Sequence, residues 1–391
     1  MIYIDQKDGK KILVKFNDSS MVNVLPAILK QVDIIGENAF RDNLDIVSVL
    51  IPDNVKEIKS GAFQGCQRLG QIRLPSGLEK IAPETFKDCL ILSSLELPSS
   101  VKDIGFSAFE GCQNLSDINL PKHLRAIGAN AFENCYRLND IKLPPNVMIG
   151  GSAFKSSGLI TITIPKNARL TDSHTFANSD LCEATIQGGS IIPYSCFDGC
   201  KLLEIVDLPP TLKTIQGRAF ADCKSLYNVD LPEGLINICC EAFNNSGVAS
   251  VGFPESLEHI YKDAFTDCRN LLHVDIPHDD IDIKTDAFDK NTTVNYLKEN
   301  RRLFQYLLDK IQQNSDLKTK DKRHIMSLIQ FIIEDSGIKR PTTNYYATDS
   351  KQDITDHIDL SELNDDEPSV ERENEANLQT IDKDDNIGNE R

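Results

Sequence analysis

The hydrophobic residues of this chain recur in a fixed order about every 23 residues, from Ile34 to Val294. Each full copy places a Phe first, a Cys three residues later, a Leu after three more, and a β-branched residue after three more. A Leu or Ile follows two residues on, and then a Pro. The stretch from Phe63 to Pro75, FQGCQRLGQIRLP, shows the whole pattern. The repeated Phe residues are Phe40, Phe63, Phe86, Phe109, Phe132, Phe154, Phe176, Phe197, Phe220, Phe243, Phe265 and Phe288. A period this regular indicates a repeat fold.

The spacing within each copy predicts its local structure. Apolar steps of three, three and two match neither one sustained helix nor one sustained strand. They predict a short turn of helix that leads into a short strand, which ends at the Pro because Pro cannot donate to a ladder. A unit of this size cannot bury its own apolar side, so the copies must stack. The predicted fold class is an α/β repeat solenoid with a parallel sheet on one face.

One run carries a specific family pattern. Cys66 to Phe86, CQRLGQIRLPSGLEKIAPETF, resembles the leucine-rich repeats of the BspA-like, or Treponema-type, family, with Thr85 in place of the usual Ala. The resemblance covers roughly residues 34–296 and implies a leucine-rich repeat solenoid of about 12 repeats. It also implies a surface protein that binds host or matrix components, in a family where many members have no known partner.

The pattern changes at both ends of the array, which predicts four segments. Residues 1–33 are expected to form an N-terminal cap that begins with a hairpin turning at Asp8 and Gly9, and residues 34–296 form the solenoid. Residues 297–341 show helical spacing and predict a helical hairpin that caps the last repeat or offers an apolar stripe to a partner. Residues 342–391 are rich in charge and predict a disordered acidic tail, or a segment that folds on a basic partner.

The net charge of −17 lies mainly in that tail. The tail holds 15 Asp and Glu against 4 Lys and Arg, a net of −11, which leaves −6 for residues 1–341. Because no basic stripe is visible, nucleic acid and anionic membrane are not expected partners. No apolar run approaches 18 residues and no secretory signal is visible, so the prediction is a cytoplasmic protein. The alternative is the cell surface, reached by an unconventional route.

Seven of the eleven cysteines share one repeat position. Small side chains stacked on their own copies are typical of buried free thiols, and no Cys-x-x-Cys or zinc spacing is present. The sequence therefore predicts structural cysteines in a reducing compartment. The seven are Cys66, Cys89, Cys112, Cys135, Cys200, Cys223 and Cys268.

Between residues 145 and 200 the repeat loosens. The Phe-to-Phe steps shorten, and Gln187, Gly188 and Gly189 stand where other copies have Pro. Ordinary drift of a tolerant repeat is the preferred explanation. The alternative is a local bend that shapes a binding surface.

Recognition is expected from the side chains that flank the buried residue of each strand, because alternation points them away from the core. This face is polar and mainly acidic, with one Arg and no aromatic residue. Asp207 and Asp230 are expected to be neighbours, and two like charges so close repel each other. Either the pair is retained to bind a basic partner or a cation, or Lys201 and Lys224 reduce the repulsion. The candidate binding residues are Arg73, Glu96, Asp117, Asp140, Lys142, Glu183, Asp207, Asp230, His273 and Asp275.

Searches for chemistry find no catalytic motif. No histidine lies in an H-E-x-x-H spacing, and neither a phosphate-binding loop nor a G-x-S-x-G elbow is present. We therefore predict no catalytic residues, no metal, no cofactor and no enzyme. The expected function is a monomeric interaction scaffold for a protein partner of unknown identity, and the alternative is a surface-exposed or secreted adhesin.

Overall fold

The computed structural model describes residues 2–16 and 22–296, and residue 325 alone. These residues form a solenoid in which each repeat makes one coil, and parallel β-pairing joins each coil to the next. The predicted leucine-rich repeat solenoid is thus confirmed. The chain divides into the units Met1–Ile338 and Lys339–Arg391. The predicted helical hairpin, apart from residue 325, and the predicted acidic tail lie outside the described residues.

Most coils contain two short strands. The first strand holds the β-branched residue of the repeat, and the second strand ends at the buried Ile that precedes the next Phe. The N-terminal part contains β1 (Ile2–Lys7), β2 (Lys10–Phe16), β3 (Asn23–Val24), the helix α1 (Pro26–Leu29), β4 (Ile34–Ile35), β5 (Ser48–Leu50), β6 (Glu57–Ile58), β7 (Gln71–Arg73), β8 (Lys80–Ile81), β9 (Ser94–Glu96), β10 (Asp103–Ile104), β11 (Asp117–Asn119) and β12 (Ala126–Ile127). The remainder contains β13 (Met148–Ile149), β14 (Thr161–Ile164), β15 (Arg169–Leu170), β16 (Glu183–Ile186), β17 (Ile191–Ile192), β18 (Ile205–Asp207), β19 (Thr214–Ile215), β20 (Asn228–Asp230), β21 (Asn237–Ile238), β22 (Ser250–Gly252), β23 (His259–Ile260), β24 (His273–Ile276), β25 (Asp282–Ile283) and β26 (Thr293–Tyr296).

The sheet on one face is only part of the β-structure, because the second strands make a ladder of their own. They pair in the orders β1-β2-β4-β6, β8-β10-β12-β13-β15 and β17-β19-β21-β23-β25. The first strands form the shorter sheets β3-β5-β7, β9-β11, β14-β16-β18, β20-β22 and β24-β26. The sequence did not predict the second ladder because a strand of two residues is too short to show alternation.

The helical turn predicted in each repeat is wrong. Within residues 2–16 and 22–296 the only helix is α1, and the segment around each Phe is a chain of turns. The residue two positions before Phe has φ between 50° and 64°, as at Glu84, and the residue two positions after it is also left-handed in most coils, as at Asp88. Left-handed residues at this spacing interrupt a helix. The Phe N–H instead bonds the next coil, as from Phe86 to the Ala108 carbonyl at 2.8 Å.

The Phe rings form a continuous stack through the core. Neighbouring ring centroids lie 4.8 to 5.6 Å apart from Phe16 to Phe288. Phe16 extends the stack by one ring beyond the sequence pattern because β2 pairs in parallel with β4. The N-terminal hairpin is present as predicted, with Lys7 opposite Lys10 across the turn at Asp8 and Gly9. Strand β2 therefore serves as the second strand of a first coil.

The seven repeat cysteines are buried and free, as predicted. Each thiol donates to the carbonyl of the Phe in the preceding coil, as from Cys66 Sγ to Phe40 O at 3.0 Å. Asn43, which occupies the same repeat position, contacts the Phe16 carbonyl at 3.5 Å. Burial raises the pKa of Cys66 to about 12, so this thiol stays protonated at neutral pH. The position thus supplies a buried hydrogen-bond donor between coils.

Candidate functional site

All ten candidate binding residues are exposed. Eight of them lie in first strands, where they flank a buried or partly buried residue, as Asp117 flanks Ile118 of β11. Asp140 and Lys142 flank the buried Ile141 in a coil whose corresponding segment is not a strand. Together these ten residues define the strand face. They are Arg73, Glu96, Asp117, Asp140, Lys142, Glu183, Asp207, Asp230, His273 and Asp275.

The acidic residues of the strand face have no cationic partner in the part of the chain that the structure describes. Asp207 accepts a hydrogen bond from the Thr185 hydroxyl at 3.2 Å, and Asp275 accepts one from the Asn295 amide at 3.2 Å. Neutral donors leave the charge of these carboxylates uncompensated. The strand face therefore presents net negative charge to solvent.

Acidic residues beside the Phe turns behave differently. Arg218 Nε lies 2.9 Å from Asp198 Oδ2, and its Nη1 lies 2.7 Å from Glu241 Oε2. The hydrogen bonds that Arg218 donates to Asp198 and then to Glu241 raise the pKa of Arg218, since both stabilise the charged guanidinium. These carboxylates belong to neighbouring coils, so their charges are used to hold the stack together. The carboxylates beside the Phe turns thus have a structural role, which those of the strand face do not share.

The predicted acidic pair, Asp207 and Asp230, lies in strands of two neighbouring coils that are in contact. Strand β18, which holds Asp207, pairs with β16, while β20, which holds Asp230, pairs with β22. The two aspartates therefore lie in adjacent first strands that are in contact but are not hydrogen-bonded to each other. Lys224 does not compensate them, because its Nζ bonds the Asn245 carbonyl at 2.6 Å and lies 3.7 Å from Asp222 Oδ1.

Sequence reasoning missed three exposed apolar side chains at the border of the strand face. Ile160, Tyr227 and Leu272 each stand one residue before a first strand and are about half exposed. Tyr227 supplies the aromatic residue that the predicted face lacked. The sequence contained a signal for these side chains. The position just before the first strand holds small residues in earlier coils, such as Gly70 and Ser93, so a large apolar residue there departs from the pattern.

The irregular segment predicted between residues 145 and 200 coincides with a break in the second-strand ladder. Strand β15 pairs with β13 but not with β17. In the next coil, Gln216 N–H donates to the Ile192 carbonyl at 3.0 Å. The equivalent residue at the break is Pro193, which carries no N–H. A second break separates β6 from β8.

Across residues 2–16 and 22–296, no cluster of three or more His, Cys, Asp or Glu side chains is arranged to hold a metal ion. His259 Nδ1 lies 3.5 Å from Asp282 Oδ2, but Lys284 Nζ lies closer to that carboxylate, at 2.6 Å. The Lys284 ammonium lowers the pKa of Asp282 by stabilising its charged form. No helix among the same residues has the length and apolar character needed to cross a membrane.

Comparison with known proteins identifies the repeat. The family model described as "BspA type Leucine rich repeat region" matches six copies over residues 33–154, 79–202 and 190–313. A leucine-rich repeat protein from Bacteroides ovatus is 25% identical and has a TM-score of 0.40, with 75% of this chain and 97% of that chain covered. A leucine-rich cell surface protein from Faecalibacterium prausnitzii is 23% identical with a TM-score of 0.50, covering 74% and 86% of the two chains. No protein of curated function matches the sequence.

Proposed function

Since the chain belongs to the family of BspA-type leucine-rich repeat proteins, we propose that it is a non-enzymatic protein-binding module that engages its partner through the strand face. Leucine-rich repeat proteins are a binding and scaffold family, and function lies in the surface that the fold displays. The observation that carries the proposal is the row of exposed carboxylates that have no cationic partner among residues 2–16 and 22–296.

The chemistry of the strand face defines the partner. Unpaired carboxylates repeated from coil to coil favour a surface rich in Lys or Arg, because complementary charge steers association and fixes register. The half-exposed side chains of Tyr227 and Leu272 add apolar anchors in the C-terminal half. Binding hot spots are enriched in such aromatic residues. We therefore expect a partner that combines basic residues with one or two apolar pockets.

Site-specific photo-cross-linking tests which face makes the contact. A photoreactive amino acid replaces Asn228, which is exposed in the first strand β20, and the chain is irradiated in its source cells. A matched control carries the same group at Ile191, which is exposed in the second strand β17. We expect a discrete adduct at position 228 and none at position 191. Equal adducts at both positions would remove the strand face as the specific contact.

Charge reversal then tests the energetics. Asp207→Lys with Asp230→Lys is expected to weaken the affinity for the cross-linked partner by at least tenfold, about 1.4 kcal/mol. The reason is that two charges that attract a basic partner become charges that repel it. The control pair Asp103→Lys with Glu255→Lys makes the same change in net charge at exposed positions outside the strand face. Its affinity should fall less than about twofold. Unchanged affinity in the strand-face pair would contradict the proposal.

The alternative function is a surface-exposed or secreted adhesin for host or matrix components, in line with the family resemblance. Cytoplasmic location remains our prediction. The raised pKa of buried thiols such as Cys66 slows their oxidation, so the cysteine ladder suits either compartment. Protease treatment of intact source cells separates the two. Release of repeat peptides before lysis would favour the adhesin, whereas protection until lysis would favour the cytoplasmic scaffold.

A further inference from the structure

A pocket of about 530 Å³ opens beside the second strands β12, β13 and β15, away from the strand face. Three basic side chains, two amides and a thioether line it. They belong to Arg125, Asn146, Met148, Lys166, Asn167 and Arg169. The pocket lies in the region where the repeat loosens, and it is not part of the proposed protein-binding surface.

Coil stacking brings these residues together from distant parts of the chain. Ala126 is in register with Met148, and Met148 is in register with Arg169, so three neighbouring strands contribute. Lys166 and Asn167 come from the turn that leads into β15. The lining residues span two strand spacings, or roughly 10 Å. One period separates them in sequence, which is why no basic stripe was visible there.

The positive charge of this pocket has no compensation. No Asp or Glu lines it, and within the described part of the chain neither Arg125, Lys166 nor Arg169 makes an ion pair. All three side chains are exposed. Asp103 stands across from Ala126 on the adjacent strand but is not among the lining residues. An uncompensated basic site is unusual in a chain of net charge −17.

A second pocket of the same solenoid provides the contrast. It has a volume of about 630 Å³ and lies at the break between β6 and β8. Its three lysines are matched by three acidic residues, and Lys59 and Glu57 of the same coil form an ion pair at 3.5 Å. Both pockets sit beside breaks in the second-strand ladder. The basic character is therefore specific to the pocket at β15, and does not come with every break.

The turn after β16 keeps the basic pocket open. Gly188 passes so close to the Lys166 carbonyl that a Cβ there would lie 2.3 Å from the oxygen, and Gly189 has φ of 106°. Both features require glycine. The glycines replace the Pro found in other repeats, and they add no side chain to fill the space over Arg169.

We propose that this pocket binds a segment of a sulfated glycan. The three cations match sulfate groups, which Arg holds through paired N–H donors. The Asn146 and Asn167 amides match sugar hydroxyls, and a width of roughly 10 Å accepts two or three sugar rings. Nucleic acid fits less well, because no aromatic side chain lines the pocket to stack a base. An acidic peptide fits less well, since Met148 is the only sizeable apolar anchor.

Titration of the full chain with a heparin-derived hexasaccharide tests the proposal. At about 50 mM salt we expect saturable binding by the wild type, lost progressively as salt rises because the contacts are exposed. Arg125→Glu with Arg169→Glu should weaken binding by at least tenfold. The matched control Lys56→Glu with Lys80→Glu makes the same change in net charge at the compensated pocket, and should change affinity less than about twofold.

Three further ligands identify the anion. A desulfated hexasaccharide should bind at least fivefold more weakly, and a polyglutamate peptide and a single-stranded oligonucleotide should bind more weakly than the sulfated probe. Absence of wild-type binding, or equal losses of affinity in the two double variants, would overturn the assignment of the binding site to this pocket. Tighter binding of the peptide or the oligonucleotide would overturn the assignment to a glycan. Thermal melting verifies each fold, and Arg125→Gln with Arg169→Gln replaces the charge reversal if that variant melts early.

Discussion

The repeat position three residues after Phe shows how one buried donor is reused from coil to coil. Cys112 Sγ donates to the Phe86 carbonyl of the preceding coil at 3.1 Å, and Asn43, in a coil without the Cys, donates from Nδ2 to the Phe16 carbonyl at 3.5 Å. The position therefore selects a small side chain with a hydrogen to donate. Thiol chemistry is not required for this role. Cys and Asn share donation to the preceding coil, whereas Ser179 donates within its own coil, to the Phe176 carbonyl at 2.7 Å, and the buried Ser157 hydroxyl has no hydrogen-bond partner among the described residues.

The thiol at Cys112 provides a direct test of this role. Cys112→Ala removes the donor and leaves a small cavity, so we expect a loss of about 1–2 kcal/mol in the free energy of unfolding. Cys112→Ser keeps a donor and should lose less than half as much. Urea denaturation measures both. Equal losses would mean that volume alone matters at this position.

Other residue-scale features were not predictable from the sequence. The left-handed position two residues before Phe holds Glu84 and Arg218 in two coils, neither of which favours that conformation. Stacking imposes the backbone there, because the N–H of each of these residues bonds a carbonyl of the next coil. Local preference was therefore a poor guide in these two coils. The buried thiols, by contrast, were predictable because their period placed them on one side of every coil.

At the scale of elements, two strand ladders with breaks, the hydrogen bonds between the Phe turns and one ring stack hold the coils together. The Phe109 ring lies 5.4 Å from that of Phe86 and 5.2 Å from that of Phe132, with almost parallel planes. Phe106, three residues earlier in the same coil, is 49% exposed. The coil thus offers a core ring and a surface ring side by side.

Substitution of these two rings separates stacking from general hydrophobicity. Phe109→Ala is expected to cost about 3–5 kcal/mol because it opens a cavity in the middle of the stack. Phe106→Ala should cost less than about 1 kcal/mol. Hydrogen exchange adds a second readout, since a defect in one coil of a stacked array should expose the amides of its neighbours first. Similar costs for the two variants would contradict the stacking role.

The strand face was predictable in outline, and its details were not. Alternation along the first strands placed Asp117 and Asp230 on the surface correctly. The break between β18 and β20 depends on backbone geometry that a repeat pattern does not encode. The same holds for the pairing of Arg218 with Asp198 and Glu241, because their contact depends on how neighbouring coils align.

At the scale of the whole molecule, the two ends of the described solenoid differ. Strand β2 and Phe16 continue the core at the N-terminal end. At the other end Ile283, Phe288 and Val294 are only partly buried, whereas Phe265 and Ile260 one coil earlier are fully buried. An open last coil exposes apolar surface unless another segment covers it. The segment that follows directly in sequence, residues 297–341, remains our predicted cap.

Two truncations test that assignment. Removal of residues 297–391 should lower the midpoint of thermal unfolding by several degrees, because it uncovers the apolar side of the last coil. Removal of residues 342–391 alone should leave the midpoint nearly unchanged, since charged residues with few apolar neighbours add little burial. Equal midpoints for the two truncated chains would exclude a capping role for residues 297–341.

The direction of the hydrogen bonds between coils has a mechanical consequence. These bonds join one coil to the next, as from Phe86 to Ala108, so a pulling force on the two ends of the array loads them one coil at a time. Each coil that peels away releases roughly 75 Å of chain, given about 3.5 Å for each of its residues. At the junction beside Pro193 the second strands are not paired, so the load there falls on the pairing of β14 with β16 and on the Phe turns. Under tension the array therefore behaves as an extensible tether that lengthens in steps, each step being the unfolding of one whole coil.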